Sequence, residues 1–282
     1  MQTSVSTVIR TYNEAGFISQ LIETLRWQEQ HGNLEIIIVD SGSTDETVDI
    51  AKRYDVKIIN IPKKTFNYSK ALNLGIQQSR GELIFLLSAH SIPIGKDCLG
   101  KMAAHFEDEN VAGVYCRQKP WPDAGPSEFY RIQKMFEPKS RTFSDEPCEG
   151  MTFSNAASCI RRRLWEKHPF AELLTAEDRE WSKWAIINGH KIIYEAEAEV
   201  YHSHNDSSRK SAQRIIEMEK VADAGKNRRR NLLLTMKQSA GLFYREAGRA
   251  ICFDCTIDKR IKFSAQSAAR AFWYLVDFNR KG

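Results

Sequence analysis

Apolar and polar residues alternate from Ser4 to Arg10, with Val5, Val8 and Ile9 at the apolar positions, which predicts a β-strand running into Thr11-Tyr12-Asn13-Glu14. Ile18, Leu21, Ile22 and Leu25 then fall at helical spacing. Glu35-Ile36-Ile37-Ile38-Val39 is a second buried strand, stopped by Asp40-Ser41-Gly42-Ser43-Thr44-Asp45, which has the composition of a turn into a helix N-cap. Lys57 to Ile61 is a third short strand, and a helix from Ser69 to Gln78 follows it. Leu83-Ile84-Phe85-Leu86-Leu87 is an unbroken apolar run, the pattern of a strand buried on both faces. Strand and helix alternate at short intervals, which predicts a parallel sheet with helices on both faces.

The apolar run ends in Ser88-Ala89-His90-Ser91 and is closed by Pro93. Ligands of open α/β sheets collect at the carboxyl ends of strands, so His90 is a candidate metal or phosphate ligand; a hydrogen-bonded loop histidine fits the same pattern. Lys96 to Phe106 reads as a helix and Val111 to Arg117 as a strand. The proline-rich loop from Lys119 to Pro126 is either a substrate-binding element or a solvent loop whose Trp121 packs. Small residues around Asn155 permit close approach of backbone to a ligand. A helix opens at Arg161-Arg162-Arg163 and Trp165, and another starts at Thr175 and stops at Asn188-Gly189. Its first turn carries Glu177, Asp178 and Glu180, which the helix dipole favours, although three acids exceed what capping requires. Two short strands are expected at Ile192 to Tyr194 and Glu199 to Tyr201, the second ending in His202-Ser203-His204-Asn205.

Charge changes the picture mainly at the C-terminal end. The net charge is +5, and basic residues from Lys210 to Arg270 crowd the last quarter, where Ile215 to Ala222, Leu232 to Met236, Leu242 to Tyr244 and Ala268 to Phe278 have helical periodicity. Basic and aromatic residues together suit an anionic membrane surface, and equally a helix packed on a domain beside solvent. No nucleic-acid motif accompanies the charge, so nucleic acid is not an expected partner. Composition is that of a soluble protein, and no apolar run reaches the roughly 18 residues of a membrane span. With a strand pattern at the start, a cytoplasmic protein is expected, peripheral at most to the inner face of the membrane. Six scattered cysteines suit a reducing compartment. Cys252 and Cys255 form a lone C-x-x-C without the second pair of a zinc site.

Six motifs, taken in order, carry a resemblance. They are TYNE at Thr11 to Glu14, VDSGSTDET at Val39 to Thr47, N-x-G-x-x-x-S-x-G-E from Asn73 to Glu82, SAHS at Ser88 to Ser91, AED at Ala176 to Asp178, and His202-Ser-His204. In this order the chain resembles the family 2 glycosyltransferases with a GT-A fold. The resemblance implies an α/β domain over residues 1–205, a Rossmann-like nucleotide-binding mixed sheet flanked by helices, with residues 206–282 a basic helical C-terminal extension.

It also implies an activity: transfer of a sugar, with inversion, from a nucleotide-diphosphate sugar to a hydroxyl of a polysaccharide or lipid-linked glycan. Thr11, Tyr12, Glu14 and Asp40 match donor-binding positions, and Ser88, Ala89 and His90 stand where the donor is expected; Lys70, in the helix before the central strand, could also approach the nucleotide or could face solvent. A carboxylate such as Asp40 can accept the imide hydrogen of uracil or thymine, which favours a pyrimidine. A UDP-hexose is the expected donor, and dTDP-rhamnose is kept open because VDSGSTD, with Ser41, resembles rhamnosyltransferases. Asp178 matches the general base, with Glu177, Trp121 and Asn155 toward the acceptor or sugar.

The chain departs from the family where most relatives carry D-x-D, having Ser88-Ala89-His90 instead. Either His90 ligates a divalent cation with His202 or His204, Mn²⁺ being favoured over Mg²⁺ by imidazole, or it contacts the diphosphate directly. The departure also leaves open a non-catalytic nucleotide-sugar-binding subunit of a glycan-assembly complex.

Overall fold

The computed structural model describes residues 4–29, 34–145, 150–173, 175–204 and 268–269. Two compact units divide the chain: Met1–Lys119 with Met135–His202, and Pro120–Lys134 with Ser203–Gly282. The helices expected beyond residue 206, apart from positions 268–269, lie outside the described residues, as do Asn205 and the Cys252–Cys255 pair.

The first unit is built on β1 (Val5–Thr11), which pairs in parallel with β2 (Glu35–Asp40) on one side and with β4 (Leu83–Ser88) on the other. A third parallel strand, β3 (Lys57–Asn60), lies outside β2. Beyond β4 the direction changes. β8 (Ala157–Arg161) runs antiparallel to β4 and to β6 (Val111–Lys119), and β6 is parallel to β9 (Lys191–Tyr201), whose other neighbours are β5 (Ile92–Ile94) and β7 (Arg141–Phe143). The order β3-β2-β1-β4-β8-β6-β9-β5 is therefore a mixed sheet whose first four strands are the parallel set expected from the alternating pattern.

Burial explains the strands. Val8, Ile9, Ile37, Ile38, Phe85 and Leu86 are each at most 1% exposed, so the central strands are covered on both faces. The ten residues of α1 (Ile18–Trp27) are too few to be stable alone. Its stripe of Ile18, Leu21, Ile22 and Leu25 is buried, at about 1.5–3 kcal/mol per side chain, and tertiary packing thus holds the helix. A short helix, α2 (Thr47–Ala51), follows β2, and α3 (Tyr68–Gln77) follows β3. The Asn67 side chain caps α3 by accepting from the backbone amides of Ser69 and Lys70, at 2.8 and 3.3 Å. Three more helices complete this unit: α4 (Cys98–Ala104), α6 (Arg162–Lys167) and α7 (Glu177–Ile187). α5 (Pro126–Met135) lies in the second unit up to Lys134.

The N-x-G-x-x-x-S-x-G motif turns out to be a packing device. Asn73 Oδ1 accepts from Trp165 Nε1 (2.9 Å) and from the Phe170 amide (3.1 Å), while its Nδ2 donates to the Phe170 carbonyl (2.8 Å). A Cβ at Gly75 would stand 2.3 Å from Val8 Cγ1, so α3 lies close on β1 because glycine is there. Ser79 donates to the Ile76 carbonyl (2.7 Å) and receives the guanidinium of Arg162. At Gly81 a Cβ would meet the Ser6 backbone nitrogen at 2.4 Å.

One expectation is corrected. The last strand is not two short pieces but the single β9, eleven residues long. Glu195-Ala196-Glu197-Ala198-Glu199 looks polar in sequence, yet Ala196 and Ala198 point inward and are buried. Against β6 the register slips here, Cys116 facing Glu195 and Arg117 facing Glu199, so the strand continues through a bulge. No helix of the described residues is long and apolar enough to cross a membrane.

Gly75→Ala is expected to destabilise the protein by about 1–3 kcal/mol, the usual cost of overpacking a close contact. Urea denaturation measures it, and an unchanged midpoint would show that Val8 can give way.

Candidate active site

The loops that leave β1 and β2 are laced together. Ser41 donates through its amide and its hydroxyl to the Thr11 carbonyl, both at 3.0 Å. Asn13 adopts a left-handed conformation (φ 55°), donates its amide to Ser43 Oγ (2.9 Å) and accepts at Oδ1 from the Thr44 amide (2.8 Å). The amides of Glu14 and Ala15 donate to Thr47 Oγ1 (2.7 Å) and Asp45 Oδ2 (3.2 Å). Asp40 is 2% exposed and serves its own turn: Oδ2 accepts from the amides of Gly42 and Ser43, both at 2.9 Å, and Oδ1 accepts from the Ser43 hydroxyl at 2.5 Å. Oδ1 has a second lone pair for a ligand. Thr11 is also buried, and its Oγ1 has no hydrogen-bond partner among the described residues. Tyr12 is exposed beside this edge, with the Lys63 ammonium on its hydroxyl and 4.5 Å from its ring centroid.

His90 stands just beyond β4. Its Nδ1 lies 2.8 Å from Glu14 Oε1, a carboxylate that fixes the Nδ1–H tautomer and gives Nε2 the lone pair. His202, 5% exposed at the end of β9, repeats the arrangement, with Nδ1 2.7 Å from Gln118 Oε1. The two imidazoles stack, centroids 4.9 Å apart and planes 11° from parallel. A metal-ligating histidine commonly has its other ring nitrogen bound to a carboxylate or carbonyl oxygen, so both histidines fit a divalent cation held through Nε2. Ser88 and Ala89 enter this corner mainly through backbone, Ser88 donating to the Ala156 carbonyl and Ala89 to the Arg10 carbonyl, both at 3.1 Å.

The acidic pair stands at the start of α7. Ala176, left-handed at φ 70°, turns the chain into the helix, a conformation that costs a non-glycine residue about 1–3 kcal/mol and is often found at functional sites. Asp178 Oδ1 accepts from the Arg179 amide (2.8 Å), and Oδ2 from the Asn155 amide (3.3 Å). Burial, reinforced by the neighbouring Glu177 charge, pushes the Asp178 carboxyl up to about 6 against those hydrogen bonds and Arg10. Glu177 is 5% exposed and faces Arg10, Nη1 to Oε1 at 3.8 Å. Asn155 is buried, its Oδ1 accepting from Ser158 Oγ (3.2 Å) and its Nδ2 without a partner among the described residues.

Other expected residues stand elsewhere. Lys70 pairs with Glu172 at 3.2 Å and lines an open surface groove with Asn73, Gln77 and Trp165. Trp121 and His204 belong to the second unit. There the Trp121 amide donates to Ser203 Oγ (3.1 Å), and the His204 amide to Glu128 Oε1 (3.3 Å). Sequence reasoning missed Arg10 and Gln118. A basic or amide residue on an alternating strand looks like a solvent-facing position; Arg10 meets its partner at the start of α7, and Gln118 meets His202 just beyond β9.

The mixed sheet flanked by helices is shared with solved GT-A glycosyltransferases. A mannosyltransferase from Pyrobaculum calidifontis, solved with GDP-Man and Mn²⁺, superimposes with a TM-score of 0.63 at 18% identity, covering 98% of this chain and 88% of that one. TarS of Staphylococcus aureus with UDP-GlcNAc gives 0.59 at 18% identity, covering 99% and 92%. At such identity the likeness is one of fold. Residues 6–168 match the profile of Glycosyl transferase family 2. The O-antigen chain rhamnosyltransferases of Salmonella typhimurium (RfbN) and Salmonella anatum (WbaN) are 30% and 31% identical, each over 76% of this chain and 70% of the relative. The chain belongs to glycosyltransferase family 2 and is a glycosyltransferase.

The raised proton affinity of Asp178 has a consequence for stability. A carboxyl whose folded pKa of about 6 exceeds its unfolded value contributes stability that is full below the unfolded value and lost as pH rises through about 6. Asp178→Asn is therefore expected to raise the melting temperature at pH 8, the gain vanishing below about pH 4. Thermal unfolding across that range measures it, and an equal gain at both ends would remove the burial of this charge as its cause.

Proposed function

We propose that the protein is an inverting glycosyltransferase that moves a sugar from a pyrimidine nucleotide-diphosphate donor to a hydroxyl of a growing glycan, with Asp178 as general base. The observation that carries this reading is the carboxyl of Asp178, its pKa raised to about 6, at the carboxyl edge of the sheet of a family 2 enzyme. A base of that strength is ionised at neutral pH and still accepts a proton in a transition state. Asp178 takes the proton of the acceptor hydroxyl as the oxygen attacks the anomeric carbon. The nucleoside diphosphate departs from the opposite face with the electron pair of the broken C–O bond, and configuration inverts. The rhamnosyltransferase relatives support rhamnose as the transferred sugar, and of the two expected donors dTDP-rhamnose is the one that carries it.

Thr11 Oγ1 and the remaining lone pair of Asp40 are available to a nucleoside, and Tyr12 offers a ring face beside them. His90 and His202 would hold a divalent cation. Such an ion supplies positive charge against the leaving diphosphate, so no general acid is required. Two imidazole ligands favour Mn²⁺ over Mg²⁺. Glu14 and Gln118 orient those ligands. The basic residues after 206 suit a lipid-linked acceptor at an anionic membrane face.

Asp178→Asn should lower kcat by at least about 100-fold, within the usual range for a general base, while nucleotide binding survives. Wild-type kcat/KM should fall as pH drops through about 6. Wild-type turnover in the variant would move the base to another carboxylate. A thermal-shift panel of UDP, dTDP and GDP, each with Mn²⁺, Mg²⁺ or EDTA, reads the donor, since a ligand of the native state raises its melting temperature. Stabilisation by dTDP only with Mn²⁺, lost in His90→Ala, is the expected result. Stabilisation insensitive to EDTA would assign His90 to the diphosphate itself.

A further inference from the structure

Glu177 and Asp178 are adjacent carboxylates in one helical turn, and the Glu177 charge adds to burial in raising the proton affinity of Asp178. The charged groups facing Asp178 are Glu177 from its own helix and Arg10 from β1; the amides of Asn155 and Arg179 add hydrogen bonds. Arg10 is largely buried, its side chain 14% exposed, and its guanidinium is fixed from two directions. Nη1 lies 3.8 Å from Glu177 Oε1, and Cζ sits 5.1 Å from the centroid of the Tyr68 ring. The backbone of Arg10 is equally set, since its carbonyl accepts from the Ala89 amide at 3.1 Å and its strand position pairs with Ser88. A guanidinium remains charged at every pH at which the enzyme folds, which suits a fixed counterion.

We propose that Arg10 is a positioning residue of the transfer reaction: held beside Glu177, it compensates that carboxylate's charge next to Asp178, which is left as the single base facing the acceptor. The inference rests on Asp178 being the base. Glu177, its charge compensated in place, then shapes the acceptor side.

The test is the pH dependence of kcat/KM in the full chain for wild type, Arg10→Met, Arg10→Lys, Glu177→Gln and the double variant Arg10→Met/Glu177→Gln, with folding checked by circular dichroism. Without Arg10 the Glu177 charge is uncompensated, so the acidic limb should move up by about one pH unit in Arg10→Met. Arg10→Lys should return part of that shift. Glu177→Gln should move the limb down, and in the double variant the limb should return to the wild-type position or below. A limb unmoved in Arg10→Met, or displaced equally with and without Glu177, overturns the proposal. If Arg10→Met does not fold, the Glu177→Gln profile decides, an unmoved limb again overturning it. Turnover retained in Asp178→Asn would instead refute the assignment of the base, so the two failures are told apart.

Discussion

The hydrogen bonding of β1 on both sides sets where the ends of three strands and the loops that leave them stand. Because β2 and β4 flank it in parallel register, Thr11 faces Asp40 and Arg10 faces Ser88, so three chain segments end at one edge with their polar residues level. A parallel pair cannot be closed by a tight turn, and each crossover must leave over a helix. The loops therefore emerge on the same edge and can be tied to one another, as Asn13, Ser41, Ser43 and Thr47 tie the first two. Rigidity there comes from hydrogen bonds between loops, while the apolar strands below supply only the platform.

The same edge gathers groups that are costly to bury: an ion pair, two adjacent carboxylates, two stacked imidazoles and a left-handed alanine. Packing alone does not call for them, since the core is complete in Val8, Ile37, Phe85 and their neighbours. Local cost concentrated where ligands of α/β sheets bind is the expected mark of function.

Most of the fold is legible in the chain because apolar runs and helical stripes are local signals. The run from Leu83 to Leu87 could hardly be anything but a central strand, and Asp40-Ser41-Gly42 could hardly continue one. β9 was hidden because burial of two alanines between glutamates depends on what lies opposite, which no local pattern records. The candidate site divides the same way. His90, Asp178 and His202 stand at element ends, where sequence marks polar residues. Arg10, near the end of β1, and Gln118, near the end of β6, were silent because a polar side chain on a strand acquires its partner only from the tertiary fold. Gly75 and Gly81 carry no chemistry; they let backbone and side chain approach where a methyl group would collide.

The contact between Glu14 and His90 makes the two positions depend on each other. Glu14 lies within hydrogen-bonding distance of the ring, a comfortable arrangement for an imidazole and a poor one for an acid. With aspartate at position 90, two carboxylates would share that gap, and one would have to keep a proton or turn away. Positions 14 and 90, far apart along the chain, are thus bound as a pair. A replacement at either one therefore changes what the other can hold, and an acid at position 90 would face Glu14 only with a proton between them.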